Sequence, residues 1–282
     1  MCGQVHEAGD DAEWRHQRLT TQEFIRRLKE TGRRVSPIFS VFGVEIYLFR
    51  IDWLHAVDQG VGADFAGNAF EELLPRLAGN TKEQRCSTLN DKLQSHYERR
   101  GVQDRIKTLG PLSFARPSAN QPAKLKGSAA QVRNVIPFVQ EFCDEVCRDD
   151  MPREAAIKSA AKHLSHCYQA LASSSAPVRD EALYTSSQAH VLQCHALYEG
   201  GDGVCFRCKP KHHAFLELCS QKGVVPNSFW CYRDEDFGGP IARISKPQGM
   251  WKRMKFYTRR ALDMFTMKNP VPKIVRETPI ED

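Results

Sequence analysis

The sequence predicts a mainly α fold with a small β component, and three observations lead there. Apolar residues recur at three- and four-residue spacing through most of the chain after residue 65. One stretch near residues 37–54 is instead dense in β-branched and aromatic side chains. Gly, Pro, Ser and Asp clusters separate the periodic runs at intervals suited to helices of ordinary length.

Residues 1–35 form a polar N-terminal segment with one helix signal. Thr20 and Glu23 stand at capping-box spacing, and Phe24 and Leu28 share a face behind them. The run PIFSVFGVEIYLFRIDWLH follows, in which residues 38–42 and 44–51 read as two short strands turned at Gly43. A helix is expected from Phe65 to Leu77. Another starts near Thr81, with Gln84 at capping distance and Cys86, Leu89, Leu93 and Tyr97 on one stripe. Residues 36–110 are thus a strand pair and a first helical part. Residues 111–127, rich in Pro, Gly, Ser and Ala, read as a loop or linker and as the best internal boundary.

Beyond it, Ser128 to Arg148 carries Val132, Val135, Val139, Phe142 and Val146 on one stripe, bent at Pro137. Pro152 suits the first turn of the next helix, whose stripe is Ile157, Ala160, Leu164, Tyr168 and Leu171. Further helices are expected at about 179–198 and 211–221, then a short strand at SFWCYR. Residues 241–282 form a basic helix, at 250–267, and a tail.

Composition narrows the function classes. Apolar residues at 41% and charged residues at 26% are those of a globular chain, which argues against wholesale disorder. No apolar run nears the ~20 residues of a membrane span, and the N-terminus lacks the apolar centre of a secretory signal. An intracellular protein without a membrane role is expected, its ten cysteines free thiols rather than a disulfide framework. The formal charge of +6 says little in bulk, but Lys246 to Arg276 holds nine Lys or Arg against one acid, Asp263.

Four constellations could carry chemistry. Asp52 and His55, after the strongest expected strand, share a face and together could hold a metal or pass a proton; the alternative is a pair capping a strand-to-helix junction. Asp234, Glu235 and Asp236, flanked by Tyr232, Phe237 and two glycines, offer the hard oxygen ligands Mg²⁺ takes; the alternative is an acidic helix start. Cys205-x-x-Cys208, with His212, His213 and Cys219 downstream, has the look of a zinc pair, yet no second pair at a matching spacing exists, and zinc is not expected. In the basic tail Lys252, Arg253, Lys255, Arg259 and Arg260 could follow a phosphate backbone while Trp251, Met254, Leu262 and Phe265 face inward; a solvated cationic face is the alternative.

Two stretches together resemble the transposases of CACTA-type cut-and-paste DNA transposons. FRIDWLHAVDQGVGADFAGNAFEELL, residues 49–74, resembles that family's Asp-x-x-His pair followed by an apolar helix with a small pair such as Gly-Asn. HHAFLELCSQKGVVPNSFWCYRDED, residues 212–236, is similar to its histidine, apolar helix, Gly/Pro turn, Trp-x-Tyr and acid. The resemblance implies part of a ribonuclease H-like core of the DDE class, with residues 128–240 as a helical insertion returning to that core. It implies carboxylates holding two Mg²⁺ ions, one activating water or a DNA 3′-hydroxyl and the other stabilising the departing oxygen. Glu235 matches the third acid, and Asp52 and His55 match the Asp-x-x-His pair, so Asp52 and Glu235 are the expected metal ligands.

The match lacks the first acid and its strands. Asp10 or Asp11 would have to stand for the second, with no supporting pattern around them. The expectation is therefore the C-terminal part of a transposase catalytic region, inactive alone. Its partner would be DNA, contacted through Lys209, Lys211 and the tail cations, with homo-oligomers possible and the nucleus as its compartment. A non-enzymatic helical interaction scaffold is the alternative.

Overall fold

The computed structural model describes residues 20–46, 49, 51–173, 181–220, 226 and 231. The chain divides into two compact units, Met1–Trp230 and Cys231–Asp282; of the second, only Cys231 is among the described residues.

The described residues of the first unit are mainly helical: α1 Thr21–Glu30, α2 Ala63–Leu73, α3 Lys82–Arg100, α4 Ala129–Val146, α5 Pro152–Ser173, α6 Glu181–Glu199 and α7 Pro210–Ser220. No strand occurs among the described residues, which corrects the expected β component. Residues 38–42 were expected as a strand. Instead Ser36 accepts the Ile38 N–H, Pro37 sets the first turn, and Pro37–Ser40 winds as a 3₁₀ turn. Ile38, Val41 and Phe42 stay exposed and no strand pairs with this run among the described residues, while Phe39 packs against Phe24 and Phe49. Of the second expected strand, residues 47, 48 and 50 lie outside the described residues. So does most of SFWCYR, and the helix at 250–267 lies there entirely.

Local caps explain the helices that form where their patterns predict. Thr81 accepts the Gln84 N–H while Gln84 Oε1 accepts the Asn80 N–H, opening α3. Gly101 closes it in the left-handed region, at φ 64°. Ser128 and Gln131 form a reciprocal capping box for α4, whose Val132, Val135, Val139 and Phe142 are buried. Pro152 begins α5, and Ile157, Ala160, Leu164, Tyr168 and Leu171 all face inward.

The centre of the unit is a continuous helix from Trp53 to Leu73, wound as π over Leu54–Gly62 and as α2 beyond. Spacing places its start at Phe65; it begins twelve residues earlier because Asp52 caps Trp53 and the next turn. Trp53 is fully buried and meets Tyr168 of α5 and Phe215 of α7 edge-on, each at 5.7 Å. α4 and α7 pack on the π segment, α5 pairs with α6 along its length, and α7 also packs on α6. Residues 111–127 cross α2 as a strap. The Leu125 N–H donates to Ala63 O at 2.8 Å, Lys126 N–H donates to Ser113 O at 2.7 Å, and Phe114, Ala123 and Leu125 are buried.

Candidate functional site

Asp52 stands where the chain enters the central helix. One carboxylate oxygen accepts the His55 N–H at 2.9 Å and lies 2.7 Å from His55 Nδ1. Asp52 is thus the cap and also the group that orients the imidazole, which is half exposed. A proton on Nδ1 in this pair leaves the lone pair on Nε2.

The π winding that follows has chemical consequences. It displaces main-chain carbonyls from their ordinary partners. Ammonium groups from elsewhere take two of them: Lys211 Nζ donates to His55 O and Lys124 Nζ to Gln59 O, each at 2.7 Å. The stem of Lys211 lies flat on Gly60; a Cβ there would stand 2.6 Å from Lys211 Cδ. α7 is thereby fastened to the π segment by its first turn.

Two acids of the central helix are buried. Asp58 is fully enclosed and accepts the Tyr168 hydroxyl at 2.5 Å. Asp64 pairs with Lys209 at 2.7 Å and has Lys124 at 3.8 Å, while its Oδ1 accepts no hydrogen bond among the described residues. One turn on, Asn68 Nδ2 donates to Asp64 O at 2.7 Å and its Oδ1 is likewise buried without a donor. A cavity of about 10 Å³, lined by Asp64, Asn68, Lys209 and His212 among others, is the room for one water.

His212 is buried beside this pair, and its Nδ1 accepts the Lys209 N–H at 3.1 Å. Burial pulls its pKa down to about 4, so the ring is neutral at pH 7. His190, deeper in the core, donates from Nδ1 to Ala160 O at 2.9 Å and accepts from the Cys194 thiol at 3.5 Å; burial takes its pKa to about 3. Burial also lowers the Lys211 pKa, as do its cationic neighbours Lys124 and Lys209.

The Cys205–Cys208 segment is an Asp202-centred turn. The Asp202 carboxylate accepts the Val204 and Cys205 N–H groups at 2.9 Å each; these bonds, the Cys205 one foremost, take its pKa to about 2. Phe206 adopts φ 56°, the Cys205 thiol meets the Arg116 guanidinium, and Cys208 is half-buried. All nine described cysteines are outside any disulfide.

The structure brings residues 52–73 against 209–220; of the stretches 49–74 and 212–236 that the resemblance paired, residues 50, 221–225, 227–230 and 232–236 lie outside the described residues. Glu235 and its neighbours at 232–239, Asp10, Asp11, Lys252, Arg253, Lys255, Arg259 and Arg260 lie outside the described residues. Asp58, Asp64, Lys124 and Arg207 escaped the sequence reading. The one signal for the two acids was their presence in an otherwise apolar helical run. No helix among the described residues is long and apolar enough to cross a membrane. No protein-family model, no curated protein and no solved structure matches this chain.

Proposed function

We propose that this protein derives from a CACTA-type DNA transposase and binds DNA, in the nucleus, without catalysing strand transfer by itself. The observation carrying this reading is the lysine-mediated packing of α7 on the Asp52–Leu73 helix. Lys211 reaches the His55 carbonyl and Lys209 reaches Asp64, so the chain just before the second motif-bearing stretch forms with the first one polar junction rich in ammonium groups. A ribonuclease H-like core belongs to the same reading, with Asp52 and Glu235 as the remnants of its metal-binding set.

The described residues do not fit a two-Mg²⁺ cluster. Such a site needs several carboxylates with oxygens turned to a shared open space. Asp52 is engaged as helix cap and imidazole partner, Asp58 is sealed against Tyr168, and Asp64 is neutralised by Lys209. No step through a metal follows from this arrangement.

The test is a pair of assays on the full chain. Radiolabelled duplex DNA with Mg²⁺ or Mn²⁺ is expected to stay intact, while the same DNA is bound with an affinity that falls steeply as salt rises. Metal-requiring nicking abolished by Glu235→Ala would overturn the inactivity, and salt-independent or absent binding would overturn the DNA reading. The second reading, a non-enzymatic helical scaffold, is favoured by one observation: Asp52, Lys209 and Lys211 each close a structural contact. It predicts absent DNA binding in the same experiment.

A further inference from the structure

Beside the α7 junction lies a cleft of about 570 Å³ between residues 120–122, the C-terminal end of α6 and residues 207–210. That volume sits within the ~300–1,000 Å³ typical of small-ligand sites. Tyr198 and His195 of α6 line one wall, and Arg207, Cys208 and Lys209 line another. Lys209 links the cleft to Lys124 and Lys211, since all three lysines gather around Asp64 and influence one another electrostatically.

The charge balance of this surface is the informative point. Lys209 is neutralised by Asp64. Lys124 and Lys211 have their ammonium groups fixed by carbonyl oxygens, which set position without cancelling charge. Arg207 is exposed and makes no ion pair among the described residues. Of the cleft's own lining, Arg207 and Lys209 are the cations and Glu199, 3.7 Å from His195, is the carboxylate; Asp64, Lys124 and Lys211 adjoin it through Lys209. Across the cleft and the lysine cluster adjoining it, four cations stand against two acids, and Lys124, Lys209 and Lys211 are held in place before any ligand arrives, an arrangement suited to a polyanion. The aromatic and imidazole wall adds a requirement that charge alone does not: the anion should carry flat, unpaired rings. A duplex hides its bases, and a run of Asp and Glu residues carries no rings.

We propose that this cleft and the lysine cluster adjoining it bind a single DNA strand, with phosphates on Arg207 in the cleft and on Lys124 and Lys211 beside it, and an unstacked base against Tyr198. The proposal rests on the DNA-binding reading above and deepens it, placing a strand site on residues of the first unit. Stacking platforms bordered by cations are how sequence-tolerant single-strand binders work.

The experiment uses the full chain and fluorescence anisotropy with a labelled oligo-dT of about 12 nucleotides, near the usual site size, and with a duplex of equal length. The unaltered chain should prefer the single strand. Arg207→Gln and Lys124→Gln should each weaken it about 3- to 10-fold and flatten the slope of log K against log salt by about 0.7. Tyr198→Leu should weaken it at least about 5-fold with the slope unchanged. Arg207→Gln alters an exposed side chain without an ion pair, so its result stands even if Tyr198→Leu proves unstable by circular dichroism. Polyglutamate matching oligo-dT as a competitor, or binding indifferent to Arg207 and Lys124 but lost when Lys252, Arg253, Lys255, Arg259 and Arg260 are changed to Gln, would overturn this site and leave the DNA reading standing. No binding of either DNA by the unaltered chain would overturn both.

Discussion

Gly67→Ala is the sharpest probe of the architecture around the junction. A Cβ at this position would lie 2.5 Å from Lys124 Cα, 2.5 Å from Leu125 N and 2.6 Å from Lys124 C. These are main-chain atoms and cannot rotate away, so the strap at 123–126 must lift. Ala gains up to ~1 kcal/mol of helix propensity over Gly. Against it, forced overpacking costs ~1–3 kcal/mol. A weakened Leu125-to-Ala63 hydrogen bond costs ~0.5–1.5 kcal/mol. Partial exposure of Leu125, now 2% exposed, removes about half of the ~1.5–3 kcal/mol its burial is worth. The net is a destabilisation of about 2–4 kcal/mol, which at ~2–4 °C per kcal/mol for a unit of this size lowers Tm by roughly 4–15 °C. Thermal melting followed by circular dichroism measures it. Gly110→Ala is the control, because nothing lies within 4 Å of its would-be Cβ, and its Tm should stay within a degree or two. A Gly67→Ala protein as stable as the unaltered one would refute the crossing of strap over helix.

Three further outcomes are expected. Stability should fall as pH drops from about 6.5 towards 4. His190 and His212 are held neutral, with folded pKa values of about 3 and 4 below the unfolded ~6.5, so the unfolded chain takes up protons first, at up to ~1.4 kcal/mol per pH unit and group; urea midpoints that coincide at pH 7 and pH 5 would contradict the burial of both rings. Tyr168→Phe removes a donor from the enclosed Asp58 carboxylate and should cost about 1–3 kcal/mol in urea unfolding; an unchanged midpoint would mean that this bond contributes nothing. EDTA should leave DNA affinity unaltered, since the proposed reading gives phosphate only side-chain cations; a large loss on chelation would restore a bound metal to the account.

What sequence could reveal depended on how local the cause was. α3 and α4 could be placed because Thr81 with Gln84 and Ser128 with Gln131 close their own caps, and because their apolar stripes need only a single buried side. Residues 38–42 misled because β propensity describes a fit to neighbouring strands, and none is there among the described residues. The start of the central helix was missed for a related reason: residues 44–51 were read as a strand and the helix as starting at Phe65, whereas Asp52 accepts the N–H three residues ahead. Asp52 and His55 were correctly paired from spacing alone. Asp58 and Asp64 were not legible as buried groups, since their partners Tyr168 and Lys209 are 110 and 145 residues away. Nor does composition announce π winding, although two glycines within Leu54–Gly62 are compatible with it.

Lys211 both fastens α7 and, in the proposed strand site, meets phosphate, and this double use has a consequence that separates the junction from the tail. Lys211→Gln should lose a charge-assisted bond to the His55 carbonyl, worth ~1.5–3 kcal/mol in a buried setting and about 1 kcal/mol here, where the residue is largely exposed and its neighbours Lys124 and Lys209 repel it. It should therefore lower both Tm and oligo-dT affinity. Lys252→Gln should lower affinity and leave the Tm of the first unit alone. Saturating oligo-dT stabilises whatever binds it by RT ln(1 + [L]/Kd), ~2.7 kcal/mol at a hundredfold excess over Kd. That increment should shrink for Lys211→Gln in step with its weaker binding. If Lys211→Gln instead melts earlier but binds oligo-dT as tightly as the unaltered chain, Lys211 is a fastening and nothing more, and the phosphate contacts lie elsewhere.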